Sequence, residues 1–147
     1  MTDRPPIDAP TQHQVLLPDG WAKPKGYANG ISATGRTIFV AGQIGWNAQS
    51  QFESDDLVVQ TGQALRNVVA VLAAGGASPE HLTSMTWYFT SKAEYLARLS
   101  EIGTVYRHTM GRHFPAMAAL EVRALMEDRA KIEIQAIAVL PTPPEAT

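Results

Sequence analysis

Cysteine is missing from the chain. Its absence excludes disulfides, a thiolate nucleophile and zinc–thiolate centres, and it fits a reducing, cytoplasmic setting. No run of about 18 apolar residues appears, so no transmembrane helix is expected. Nor is there a basic stretch: 12 Lys and Arg stand against 14 Asp and Glu, for a net charge of −2. Neither nucleic acid nor an anionic membrane is therefore an expected partner. His13, His81, His108 and His113 show no ligand spacing, so no metal site is assigned. The Ser and Asp residues form no triad and no nucleophile elbow. Met1 to Pro10 has no apolar segment and carries Pro5, Pro6 and Pro10, unlike a secretory signal.

What is present suits one ordinary domain. A chain of 147 residues, 45% of them hydrophobic, buries roughly 70% of its unfolded surface. Residues 1–11 read as a flexible arm, residues 12–140 as the domain and residues 141–147 as a tail. His13 to Leu17 predicts a first strand, stopped by Pro18-Asp19-Gly20. Ile31 to Ala33 and Thr37 to Gln43 predict two strands around the turn Thr34-Gly35-Arg36. The second is nearly all apolar (Ile38, Phe39, Val40, Ala41), as for a central strand or one covered on both faces.

Asp55 and Asp56 suit a helix N-terminus. Leu57, Val58, Thr61, Leu65, Val68, Val69 and Leu72 follow at helical spacing until Gly75-Gly76. Leu82 to Thr90 predicts a strand. Ser91 and Glu94 have the capping-box spacing, and the helix they open carries Tyr95, Leu99, Ile102, Tyr106 and Met110 to Gly111. Ala116 to Leu125 and Lys131 to Leu140 predict two last strands. In the second, Ile132, Ile134, Ala136 and Ala138 alternate with Glu133, Gln135, Ile137 and Val139. The order βββαβαββ suggests an α+β fold, a mixed sheet with two helices on one face. The other face, with Trp46 and Trp87 still to place, calls for a second subunit.

Four stretches together resemble the Rid (reactive intermediate deaminase, YjgF) family. They are Gly26-Tyr27-Ala28-Asn29-Gly30, Ile38-Phe39-Val40-Ala41-Gly42-Gln43-Ile44, and Gln60-Thr61-Gly62-Gln63-Ala64-Leu65-Arg66-Asn67-Val68. The fourth is Phe114-Pro115-Ala116 with Lys131-Ile132-Glu133-Ile134-Gln135-Ala136-Ile137-Ala138. The resemblance implies a chorismate-mutase-like fold, a homotrimer and small-molecule clefts between subunits. It also implies hydrolysis of imines or enamines of amino acids without metal or organic cofactor.

Carried onto this sequence, the resemblance makes Glu133 the residue that holds the attacking water, the competing reading being a solvated strand glutamate. Tyr27 and Gly42 would line the cleft, unless Tyr27 is a half-exposed loop aromatic and Gly42 a tight packing point. Ala119 would offer a backbone carbonyl to the water. Trp46 either enlarges the apolar wall or packs between subunits. Met117 stands where the family has an arginine that grips the substrate carboxylate, and Gly103 stands where many members have an asparagine. A thioether donates no hydrogen bond and carries no charge. Arg123, six residues on and roughly 20 Å away along an extended strand, is too far to replace that arginine. Arg112 and His113 read as solvated loop residues.

The expected function is hydrolysis of a small reactive imine or enamine lacking the usual carboxylate. The alternative is a trimer that binds a small molecule without catalysis. RNA cleavage, an activity attached to the family's name, would need a cationic surface that this chain does not carry.

Overall fold

The computed structural model describes residues 9–142. The expected arm and tail lie, for residues 1–8 and 143–147, outside the described residues. Nine elements follow one another: β1 (Gln14–Leu16), β2 (Gly30–Ser32), β3 (Arg36–Ile44), α1 (Leu57–Ala74), β4 (Leu82–Phe89), α2 (Lys92–Ala97), α3 (Leu99–Met110), β5 (Ala116–Glu121) and β6 (Ile132–Leu140). A 3-10 turn, Pro79–His81, which the periodicity did not signal, precedes β4.

The main sheet has the order β3-β6-β4-β5. β6 runs antiparallel to β3 and to β4, whereas β4 and β5 are parallel. β3 and β4 thus point the same way with β6 between them, and α1 makes the crossover. The α2–α3 segment makes the next one, from β4 to β5. Both crossovers step across the sheet in the same direction, and right-handed connections of that kind put their helices on one face. Between that face and the helices lies the core: Leu65, Val68 and Leu72 of α1 against Met85 of β4 and Ile132, Ile134, Ala136 and Ala138 of β6.

α1 has the length and apolarity of a membrane-crossing helix, 18 residues with a mean hydropathy of 1.3. Its inner face is nevertheless the core of this domain, and its buried polar groups are spoken for. Asp56 caps it, accepting from the Val59 amide at 3.0 Å. The Gln60 amide donates to the carbonyls of Ser54 and Arg129 at 3.0 and 2.9 Å and accepts from the Lys131 amide at 2.9 Å. Asn67 donates to the carbonyls of Ile44 and Trp46 at 3.1 and 2.8 Å. The polar positions of Gln60 to Asn67 therefore tie strand ends to the helix.

Four expectations are corrected. Thr34-Gly35-Arg36 does not close a hairpin, because β2 pairs with β1 and β3 with β6. Gly35, at φ +146°, lets the Leu140 backbone approach so closely that a Cβ would lie 2.1 Å from its carbonyl oxygen. β3 is an edge strand of the chain, neither central nor covered on both faces, and Phe39 is 76% exposed. The single helix expected after Ser91 breaks at Arg98, leaving Leu99 half exposed. There the guanidinium reaches Asp56 at 2.9 Å and Glu101 at 2.7 Å. Those bonds hold both carboxyls below the usual carboxylate range and dock the start of α3 on the start of α1. Finally, β5 ends at Glu121, so Arg123 is off the strand altogether.

Candidate active site

A cavity of about 600 Å³ opens on the helix side of the sheet, between β5 and the α2–α3 segment. That is within the range of small-ligand pockets, about 300–1,000 Å³. Strand alternation explains its floor. Met117 and Ala119 lie in register with Met85 and Trp87, on the core-facing side of β5. β5 is an edge strand and the helices do not extend over it fully, so this part of the face stays open. At the mouth, Gly26 turns the chain at φ +77°. The Ala28 amide then donates to the Pro115 carbonyl at 3.0 Å, and Tyr27 is held against the cavity.

The inner wall is aromatic. Tyr106 stacks on Phe114 with centroids 5.3 Å apart and lies 6.0 Å from Trp87. Its hydroxyl donates to the His113 carbonyl, and burial pushes it far above the ordinary phenol range, so it stays a neutral donor. The Trp87 indole N–H is the one buried side-chain donor without a partner among the described residues. Beyond Phe114 lies a smaller cavity of about 170 Å³, walled in part by Arg112 and His113.

Two cations border the main cavity, Lys25 and Arg107, and no carboxylate does. The expectation of a cleft without a guanidinium is thus corrected. Arg107 comes from α3, one helical turn after Gly103. Nothing in the motif stretches pointed to it. The available signal was the i,i+4 spacing of a glycine and an arginine on one helix face.

Glu133 is elsewhere. Its neighbours Ile132 and Ile134 are fully buried on the helix side, so Glu133 projects from the opposite sheet face. There β3 bulges: Val40 pairs with Ala136 and Gln43 with Ile134, leaving Ala41 and Gly42 opposite Gln135 alone. The Glu133 carboxylate lies over Gly42, where a Cβ would come within 2.7 Å of its carboxyl carbon. A larger residue at position 42 would push the carboxylate out of this position. Of the residues expected in one site, then, Tyr27, Met117 and Ala119 share the cavity, and Gly42 and Glu133 meet across the sheet from it. Trp46 joins neither group. Its ring packs on Phe52, with centroids 5.9 Å apart.

Residues 22–140 match the family described as endoribonuclease L-PSP. A RutC family protein of Pyrococcus horikoshii is 35% identical over 127 residues, 85% of this chain and 96% of that protein. The human 2-iminobutanoate/2-iminopropanoate deaminase is 30% identical over 105 residues, 71% of this chain and 73% of that protein. A crystal structure of a Yersinia pestis member of the conserved Rid protein family, of unknown function, superposes with a TM-score of 0.78. It shares 30% identity and covers 87% of this chain and 98% of that one.

Proposed function

We propose, because the chain belongs to the Rid (YjgF, endoribonuclease L-PSP) family, that it is a hydrolytic deaminase of small reactive imines or enamines. Its active clefts form between copies in a homotrimer. One observation carries the reading: the acid and the ligand cavity are both present but on opposite faces of one sheet. A neighbouring copy that lays its Glu133 face against the Tyr27–Met117 cavity brings them together. The exposed Phe39, with Ile137 opposite it in register, gives that face the apolar surface an interface needs.

In the completed cleft, Glu133 takes a proton from a water whose oxygen attacks the imine carbon. The carboxyl returns that proton to nitrogen to give the carbinolamine, whose hydroxyl proton then passes through the same carboxylate to nitrogen as the C–N bond breaks. Ammonia leaves and a carbonyl compound remains. An enamine enters the same route once protonated on carbon. The human relative is named for imines of this class, which supports the assignment of reaction. The absence of cysteine supports a cytoplasmic setting. RNA cleavage is not proposed, since two cations at one cavity of an acidic chain do not make a phosphate-tracking surface.

The test is to generate imines in situ from amino acids with an amino-acid oxidase and to follow ammonia and carbonyl release. Acceleration by the protein, lost in Glu133→Gln, is the expected result. Thermal stabilisation by imines or products with no acceleration would instead identify a binding protein.

A further inference from the structure

We propose that Arg107 is the anion-recognition residue of the cleft, and that Gly103 is what admits it. The ligand class is a carboxylate carrying a bulky apolar or aromatic side chain. The inference rests on the proposed cleft and names the part of the substrate it selects. On α3, Arg107 extends back over Gly103, the direction in which helical side chains lean. A Cβ on Gly103 would lie 3.3 Å from one guanidinium nitrogen, so the guanidinium occupies ground that any larger side chain would contest. Its one hydrogen bond among the described residues, to the Thr104 hydroxyl, is long at 3.5 Å. Among the described residues it forms no ion pair, unlike Arg98 and Arg129. A guanidinium at a cavity lined by no carboxylate keeps its fork for a ligand.

The opposite wall fixes the rest of that ligand. Trp87, Tyr106, Phe114 and Met117 make an apolar surface, and Met117 adds a flexible, polarisable thioether suited to irregular shapes. The Trp87 N–H is buried within that wall without a partner among the described residues. In the single chain, a cavity of about 600 Å³ has room for a branched or aromatic side chain against that wall.

The experiment measures binding of phenylpyruvate and of its uncharged amide to the full-length protein by calorimetry. In parallel, turnover is followed with imines generated from phenylalanine and from alanine. Wild type is expected to prefer the acid over the amide. Arg107→Ala should weaken the acid about 10- to 100-fold and leave the amide unchanged. Arg107→Lys should restore part of the loss, and Gly103→Leu should mimic Arg107→Ala without touching the arginine. Unaltered melting temperatures would confirm that these changes on α3 leave the fold intact. Equal binding of acid and amide by wild type, no binding of the acid, or a preference removed by Lys25→Ala and not by Arg107→Ala overturns the proposal. Arg107-dependent binding without turnover removes the deaminase reading alone. Turnover that needs Glu133 and ignores Arg107 removes this inference alone.

Discussion

In the proposed reaction, the two faces of the main sheet carry complementary halves of one chemistry. On the helix side, the cavity has a shaped aromatic wall and two cations but no acid. On the open side, Glu133 sits over the bulge at Gly42, beside apolar groups, and has no hydrogen-bond or ion-pair partner among the described residues, which also leave those groups exposed. Neither half can hold a ligand and activate water. A strand backbone keeps them apart, because side chains at odd and even positions of a sheet cannot meet through it. On the proposed reading, the catalytic unit is a contact between copies, and the isolated chain displays both partners of that contact.

Several changes would break the comparison or sharpen it. Glu133→Gln has the largest expected effect, a loss of about 10² to 10⁴ in turnover with ligand affinity retained, since the cavity wall is untouched. Loss of affinity of the same size would mean the two faces are not separate. Mixing Glu133→Gln with Arg107→Ala protein should then recover part of the activity, because some clefts combine an intact acid from one copy with an intact guanidinium from another. Failure to recover any would count against a shared cleft.

Phe39→Asp is next. Burying an unpaired carboxylate costs several kcal/mol, so sedimentation should shift from trimer toward monomer and activity should fall with it. An unchanged assembly would show that the open face is not the contact. Tyr106→Phe deletes the donor to the His113 carbonyl and should lower unfolding stability by about 1 kcal/mol in a denaturant titration, with no change in assembly.

The smallest effect lies outside both faces and serves as a control. Burial lowers the His81 pKa from its ordinary value of 6.5, and its ring accepts from the Ser78 amide at 3.1 Å. The folded state therefore binds a proton less readily than the unfolded one. The stability from the neutral ring is complete above about pH 6.5 and drains away as the pH falls below it. His81→Gln should flatten that slope in thermal melts between pH 7 and pH 5 while leaving turnover at pH 7 unaltered.

Much of this was legible along the chain. Leu57 to Leu72 announced a core helix by period, and Asp56 its start. Ile132 to Ala138 announced a two-sided strand, and the structure buries the side that alternation names. The errors have particular causes. Ile38 to Ala41 looked like a central strand because its apolar residues sit on both faces, and composition does not say whether the second cover comes from the same chain. The break at Arg98 escaped because the i,i+3 and i,i+4 pattern continues across it. At the break, Arg98 makes a tertiary bond to Asp56, 42 residues away, which no local pattern reports.

Local pattern thus determined which segments become strands or helices, since period and capping are short-range properties of the backbone. The family resemblance, not local pattern, drew attention to Met117 and Gly103. The sheet order alone decided that Glu133 and Met117 face opposite ways. The packing of α3 beside β5 alone decided that Arg107 reaches the cavity Met117 lines. Those outcomes depend on how distant segments meet, and a distance through space is not written in any separation along the chain.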